Sequence, residues 1–225
     1  MSPYCLKVET FLKANKIPHE LCPVMRDRSK YGLLPFIELN GEHIADSQII
    51  INRLKDHFKV KPLPSPKDEA IARAVERMSD NHTLMLSSKS KFVDGSSHGL
   101  MAAAICELGC PLFLAEILAP VAGYFMKRKV SQRISAGIGS YPILDCKDFL
   151  RKDFDAYRDL LGEKKFLFGD DISSADCTVF SQLATTLYLP TESYAKNILT
   201  DDYPTLNAYA DRIRDTVFGR TFVSE

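Results

Sequence analysis

The spacing of apolar residues predicts a helix, an extended segment, a hairpin and a second helix, in that order, over the first 58 residues. After Pro3 in the sequence, apolar side chains recur at helical spacing as far as Asn15. An extended segment is expected over residues 17–22. Two apolar runs flank Asn40-Gly41 and predict a β-hairpin, because both residues of that two-residue turn must take positive φ. The second helix is expected to begin after Asp46-Ser47.

Beyond residue 58 the apolar pattern is helical throughout. Residues 61–66 contain three prolines and are expected to form a stiff linker. We therefore predict an α/β domain over residues 1–58, a linker over 59–66 and an all-helical domain over 67–225. The helices predicted in the last domain cover about residues 67–86, 100–126, 145–161, 174–189 and 204–217.

One of these helix starts carries a capping signal, Ser173-Ser174-Ala175-Asp176. In a capping box the first residue, here Ser173, accepts a hydrogen bond from the backbone N–H three residues on, and the side chain at that later position reaches back. Asp176 stands where Glu or Gln is usual. The predicted helix buries Phe180 and Leu183 and stops at Pro190.

Composition and charge exclude several classes of protein. Hydrophobic residues make up 45% of the 225 residues and charged residues 26%, which is an ordinary globular balance. The 29 basic and 29 acidic residues cancel, so the chain lacks the cationic excess that nucleic-acid binding requires. Six cysteines without a CxxC motif and five scattered histidines argue against a disulfide framework and against a metal site. Without a signal-peptide pattern, the protein is expected to be cytoplasmic.

An apolar stretch covers residues 100–126, where Glu107 and Glu116 are the only charges, and the basic run Lys127-Arg128-Lys129 follows. The two carboxylates and two prolines interrupt it, so no uncharged run reaches the roughly 20 residues of a membrane-spanning helix. We interpret the stretch as a pair of buried core helices. The alternative is a membrane-associated protein in which residues 100–129 contact a membrane surface and the basic run meets anionic lipid.

Specific motifs resemble the glutathione S-transferase fold. Residues 32–41, followed by Ala45-Asp46-Ser47, are similar to the family's cis-proline loop, hairpin and γ-glutamyl site. Phe168-Gly169-Asp170 with Ser173 and Asp176 is similar to its C-terminal capping box. The resemblance implies an α/β thioredoxin-like N-terminal domain and an all-α C-terminal domain.

Finer details resemble one subgroup. Residues 2–10, 34–41 and 175–180 are closely similar to the failed-axon-connections family, which is related to metaxins and to cadmium-responsive nematode proteins. In the glutathione S-transferase fold an inner β-strand precedes the motif at residues 2–5. This chain begins at the motif, so we expect the first strand to be missing.

The resemblance implies that the ligand is glutathione. Pro35 would follow a cis peptide bond and expose the Leu34 backbone to the cysteinyl part of glutathione. Asp46 and Ser47 would meet the γ-glutamyl end, where the helix dipole favours an anion and Asp46 balances the ammonium. The alternative is that Asp46 or Ser47 only caps its helix.

Ser2 and Cys5 form an S-x-x-C motif. Serine at the first position excludes dithiol redox chemistry. By resemblance to serine-type transferases, Ser2 would be the catalytic residue and would donate a hydrogen bond to the glutathione thiolate. The alternative for Ser2 is an N-cap, and Cys5 is expected to be a packing residue.

Two other groups of residues are candidates for chemistry. Cys106 and Cys110 lie one helical turn apart, and in an apolar stretch we expect buried small hydrophobes rather than a metal site. His82 is expected to be a surface or capping histidine.

The motifs favour a glutathione S-transferase-like protein that binds glutathione and conjugates it to electrophiles, with a role in stress response and a homodimeric state. The rival hypothesis is a non-catalytic adaptor with the same fold, acting in axon development or at a membrane.

Overall fold

The computed structural model describes residues 2–22, 29, 31–95, 98–189, 192–219 and 222. In this part of the chain a single β-hairpin lies among helices. The elements are α1 (Pro3–Ala14), β1 (Phe36–Leu39), β2 (Glu42–Ala45), α2 (Ser47–Phe58), α3 (Pro66–Met78), α4 (Leu84–Ser88), α5 (His98–Glu107), α6 (Leu112–Gly137), α7 (Ile143–Leu161), α8 (Ser174–Leu187), α9 (Tyr194–Asp201) and α10 (Pro204–Val217).

The hairpin forms around the predicted Asn-Gly turn. Asn40 and Gly41 have φ values of 52° and 82°, and β1 and β2 pair antiparallel from Phe36 opposite Ala45 to Leu39 opposite Glu42. Among the described residues the sheet has these two strands alone. The expected extended segment at 17–22 therefore pairs with no described strand.

The chain divides into two compact units. Unit 1 comprises Met1–Glu76, Leu161–Thr185 and Tyr209–Glu225, and unit 2 comprises Arg77–Leu160 and Thr186–Ala208. Each unit therefore contains segments that pack together in space although they are separated along the chain. The domain boundary predicted at residues 59–66 stays a prediction.

One apolar cluster of unit 1 is formed by α1 and the residues just after it, α2 and the hairpin, together with one residue of α8. Its apolar members lose nearly all their solvent exposure, which is the main favourable contribution to folding. They are Val8, Phe11, Leu12, Ile17, Ile44, Ile50, Ile51, Leu54 and Cys177. Cys5, expected to be a packing residue, is half-buried at the start of α1.

The capping box at the start of α8 has the expected reciprocal bonds. The backbone N–H of Asp176 donates to the Ser173 hydroxyl (3.2 Å), and the backbone N–H of Ser173 donates to the Asp176 carboxylate (2.9 Å). The same buried carboxylate accepts from the Leu167 N–H (2.9 Å) and the Tyr209 hydroxyl (2.7 Å). Burial raises the pKa of Asp176 although these donors oppose the rise. Helix α8 ends at Leu187, and the predicted stop at Pro190 lies outside the described residues.

The single helix expected over residues 67–86 is wrong in detail, because a π-helical turn at Ser79–Thr83 separates α3 from α4. A second π-helical turn, Lys89–Val93, follows α4 beyond the predicted end. The first π turn carries buried hydroxyls, and it lies against α7. Within unit 2, Ser79 and Thr83 each contact the Tyr157 hydroxyl at 2.6 Å, and Thr83 also donates to Asp153 at 2.6 Å. Polar partners on α7 therefore accompany the change in helical pitch. Helix α9 was not predicted.

The interpretation of residues 100–126 as buried core helices is wrong. Two helices form, α5 and α6, but α6 buries only a narrow stripe that includes Ala115 and Ala119. These alanines allow close packing on α5, where Met101 and Ala102 are buried. The stretch contains more apolar residues than one packed face can cover, so the others remain exposed. Among the described residues, no helix combines the length and the apolar character that crossing a membrane demands.

Candidate functional site

The hairpin brings the two predicted glutathione-binding segments to one end of the sheet. Phe36 and Ala45 form the terminal pair of the ladder. Pro35 directly precedes this pair, and Asp46 directly follows it. The Leu34–Pro35 peptide bond is cis, as the resemblance implied, and both residues are half-buried.

Asp46 is the N-cap of α2. Its carboxylate oxygen Oδ1 accepts from the backbone N–H groups of Gln48 (2.9 Å) and Ile49 (3.1 Å), and its φ is 77°. Two of the donors that a helix start leaves unpaired are thereby satisfied. The capping alternative therefore holds for Asp46. The second carboxylate oxygen, Oδ2, takes no part in the cap, and the side chain is exposed.

Ser47 is the first residue of α2 and is only 5% exposed. No described residue forms a hydrogen bond with its hydroxyl, so Ser47 differs from Asp46 in having no capping role. The Ser47 oxygen is not one of the described side-chain atoms that are enclosed without a hydrogen-bond partner, so it keeps access to solvent and a ligand atom can bond to it. The positive end of the α2 dipole lies at the same place and favours an anionic group.

A buried chain of hydrogen-bonded polar side chains contacts α2, and local sequence patterns do not predict it. The Lys7 ammonium on α1 donates to the Gln48 side chain (2.9 Å), and that amide donates to Glu76 (3.0 Å). Glu76 also accepts from the Ser174 hydroxyl (2.6 Å), which accepts from the Lys55 ammonium (2.7 Å). Lys7 and Glu76 are almost inaccessible to solvent.

The formal charges of this buried polar chain bear on the ligand. The Lys7 ammonium contacts the first turn of α2 through Gln48, and the exposed Asp46 carboxylate caps that turn. Groups of both charge signs therefore lie at the start of α2. That arrangement matches a ligand end that carries a carboxylate and an ammonium together.

Ser2 immediately precedes α1. Its carbonyl accepts the Leu6 N–H at 3.0 Å, but its side chain makes no capping bond. The N-cap alternative therefore receives no support from the Ser2 hydroxyl. The contact between Lys7 and Gln48 ties α1 to the first turn of α2, and Ser2 lies five residues before Lys7, about 7.5 Å along the helix axis at 1.5 Å per residue.

Other candidate groups do not form a second site of the predicted kinds. Cys106 and Cys110 are half-buried rather than buried. In the residues that the structure describes, no group of three or more metal-ligating side chains comes together. His82 is 36% exposed, and its Nδ1 lies 2.9 Å from the Asp153 carboxylate, so it is an internally bonded histidine rather than a helix cap. The buried Cys177 has a pKa well above the ordinary thiol value because of desolvation, and it is unsuited to be a nucleophile.

A shallow cleft of about 340 Å³ opens at the other end of the hairpin. Its lining residues are Leu39, Asn40, Glu42, Arg53, Asp56 and His57. A 2.6 Å ion pair between Arg53 and Glu42 fixes two of these side chains. None of the predicted site residues lines this cleft.

The cis-proline hairpin, the capped α2 and the helical remainder define the glutathione S-transferase fold. The solved structure of the β-etherase LigF from Sphingobium sp. strain SYK-6 has a TM-score of 0.61 at 19% identity, with 95% of this chain and 91% of that chain covered. Identity at that level shows the fold alone. Two family models also match, described as the glutathione S-transferase N-terminal domain over residues 3–95 and the C-terminal domain over residues 150–213.

The chain belongs to the family of proteins with the glutathione S-transferase fold. It is similar to Failed axon connections of Drosophila melanogaster, with 32% identity over 234 residues that cover 97% of this chain and 54% of that protein. The chain thus spans about half the length of that relative. It is also similar to the isoprene-epoxide–glutathione S-transferase of Rhodococcus sp. strain AD45, with 27% identity covering 95% of this chain and 92% of that protein.

Proposed function

We propose that the chain binds glutathione where the hairpin meets α2. The observation that carries this proposal is Ser47, a nearly buried residue at a helix N-terminus whose hydroxyl is hydrogen-bonded by no described residue. The match to the glutathione S-transferase N-terminal domain suggests that the ligand is glutathione. The acidic and basic groups at the N-terminus of α2 are suited to the zwitterionic γ-glutamyl end of that ligand.

In this binding mode each part of the site has a distinct partner on the ligand. The Ser47 hydroxyl donates to the γ-glutamyl carboxylate, and the Asp46 oxygen that is outside the cap accepts from the ammonium. The Leu34 backbone pairs with the cysteinyl part. Pro35 lies at the same end of the hairpin as Asp46 and so holds the Leu34 backbone near the γ-glutamyl site.

We further propose that bound glutathione reacts with electrophiles. The Ser2 hydroxyl donates a hydrogen bond to the thiolate and stabilises it. The sulfur forms a bond to an electrophilic carbon, and the bond from that carbon to its leaving group breaks. With an epoxide, the ring oxygen leaves as an alkoxide and takes a proton from water. Epoxides are the first electrophiles to test, because the Rhodococcus relative is named for one.

Isothermal titration with reduced glutathione tests the binding proposal. Saturable binding at millimolar ligand is expected, and Ser47→Ala should weaken it by about tenfold or more through loss of a bond to a charged group. Cysteinylglycine, which lacks the γ-glutamyl part, should not bind. Ser87→Ala removes an equally buried serine from unit 2 and should leave the affinity unchanged. A folded chain that gives no heat, or equal affinities for Ser47→Ala and the parent, contradicts the proposal.

A non-catalytic adaptor is the second candidate function, and the exposed apolar face of α6 favours it. A Ser2→Ala variant distinguishes the enzyme from the adaptor. Conjugation of an epoxide by the parent chain, reduced in Ser2→Ala at unchanged glutathione affinity, supports the enzyme. Glutathione binding without any conjugation favours the adaptor.

A further inference from the structure

Helix α6 presents a broad apolar surface to solvent. Phe113, Ile117, Val121 and Tyr124 follow one another at spacings of four, four and three residues and so lie along one line of the helix. We name the exposed apolar side of α6 its outer face. It consists of Leu112, Phe113, Leu114, Ile117, Leu118, Val121, Tyr124 and Phe125, each between 40% and 67% exposed.

The opposite side of the helix is fixed. Ala115 and Ala119 are fully buried, and Ala119 packs in one cluster with Met101 and Ala102 of α5. Ala122 and Met126 continue this packed side toward the end of the helix. The outer face is therefore held by packing within unit 2, and a contiguous apolar patch of this kind marks an interaction site.

Basic residues follow the apolar residues toward the C-terminal end of α6. Arg128 lies one turn beyond Tyr124, and Lys127, Lys129 and Arg133 are also exposed. No described residue forms an ion pair with any of these four side chains. Glu116 is the single acidic residue of α6, and it lies 3.5 Å from His98.

We propose that the outer face of α6 docks on the surface of an anionic membrane. The apolar and aromatic side chains enter the boundary between headgroups and acyl chains, and Arg128 with the flanking Lys127 and Lys129 contacts acidic headgroups. Tyr124 and Phe125, whose rings meet edge to face at 5.7 Å, lie between the aliphatic part and the cations, where aromatic side chains are favoured.

Charge distinguishes this occupant from a second copy of the chain. Two outer faces pressed together would bring six cations close to one another, Lys127, Arg128 and Lys129 of each copy, and each α6 offers only Glu116 in return. An anionic lipid surface neutralises the cations and accepts the apolar side chains at the same time. The proposal is independent of glutathione, because the outer face belongs to unit 2 and the glutathione residues belong to unit 1.

Co-sedimentation with vesicles of phosphatidylcholine, with and without phosphatidylserine, tests the proposal. Binding is expected to the phosphatidylserine vesicles and should fall as salt rises. The triple variant Lys127→Gln/Arg128→Gln/Lys129→Gln should bind about a hundredfold more weakly, since each cation contributes roughly fivefold. The pair Ile117→Gln/Val121→Gln should weaken binding by at least about tenfold through lost apolar burial.

Matched control variants show whether vesicle binding depends on residues of α6 or only on the number of apolar and basic residues. Leu144→Gln removes an apolar side chain that is 74% exposed on α7, and Lys61→Gln/Lys67→Gln/Lys164→Gln removes three exposed cations outside α6. Both control variants should bind vesicles like the parent. All variants are checked for folding by circular dichroism, and the α6 variants should keep the parent's glutathione affinity.

Three results would overturn the proposal. The first is that the folded parent fails to sediment with phosphatidylserine vesicles, and the second is that the α6 variants bind as well as their controls. The third is a dimer in light scattering that Ile117→Gln/Val121→Gln converts to a monomer, which would assign the outer face to contact between copies.

Discussion

Asp46 is the N-cap of α2 and, in the proposed complex, the partner of the γ-glutamyl ammonium. The two roles use different properties of the side chain. The cap requires an oxygen acceptor and a residue that tolerates positive φ, and asparagine supplies both. The ammonium requires the negative charge, which asparagine lacks.

We therefore predict that Asp46→Asn separates the two roles. The free energy of unfolding should change by less than about 0.5 kcal/mol, because the cap survives. Glutathione affinity should fall by about fivefold or more, because a charge-assisted bond becomes a neutral one. Urea unfolding and calorimetric titration measure the two effects. Equal losses in both would show that Asp46 serves only the helix.

Lys91 gives unit 2 a distinct pH dependence. Burial lowers the pKa of Lys91 from 10.5 to about 7. Between these values the unfolded chain holds the proton and the folded chain has released it, so the free energy of unfolding rises with pH. Below about pH 7 both states are protonated and the full penalty of burying the charge is present.

The expected rise is at most about 1.4 kcal/mol per pH unit between about pH 7 and about pH 10. Lys91→Met should remove this contribution to the slope, whereas the exposed Lys164→Met should retain it. Urea midpoints across the window measure it. A Lys91→Met chain with the parent's slope would show that the ammonium stays charged in the fold.

At the residue scale, the sequence predicts what local spacing encodes. The capping bonds between Ser173 and Asp176 need only four consecutive residues, so the motif was visible. The buried polar chain joins Lys7, Glu76 and Ser174, which are far apart in sequence. Nothing near Lys7 indicates that its ammonium is buried, because that depends on a partner 41 residues away.

At the element scale, the hairpin and the amphipathic helices follow from turn chemistry and periodicity, whereas the π-helical turns do not. The pitch change at Ser79–Thr83 occurs where α7 supplies polar partners to buried hydroxyls. Periodicity alone predicts one continuous helix there, since the partners on α7 lie more than 70 residues further along the chain.

Tyr157→Phe tests the contribution of these contacts. The change removes one hydroxyl and leaves the Ser79 hydroxyl without its bond to α7, so unit 2 should lose about 1–3 kcal/mol of stability. Tyr124→Phe, at an exposed position, should cost almost nothing. Thermal unfolding measures both. A neutral Tyr157→Phe would mean that apolar packing holds the π turn.

The interpretation of α6 as a buried core helix was wrong because burial, like the π-helical turns, depends on a packing partner elsewhere in the chain. Apolar content suggests burial, but each packed helix can bury only the side that meets its neighbour. In α6 the alanines occupy that side and the large side chains occupy the other. The sequence contains both groups, and only the packing partner shows which one is covered.

At the scale of the whole molecule, the family and the fold class were predictable because two different motifs occur along the chain in the order typical of that family. The family models and the solved structure confirm both. The grouping into units was not predictable, since unit 1 collects three separate segments of the chain. Cytoplasmic localisation and a homodimer remain predictions.

The most direct test of the central claim is an NMR titration of the ¹⁵N-labelled chain with reduced glutathione. Saturable shifts are expected at the backbone amides of Leu34, Phe36, Ser47 and Gln48, with the amides of α6 unaffected. The same titration of Ser47→Ala should need a higher glutathione concentration to reach half-saturation. A well-dispersed spectrum that does not change, or shifts confined to residues outside the hairpin and the start of α2, would contradict glutathione binding at this site.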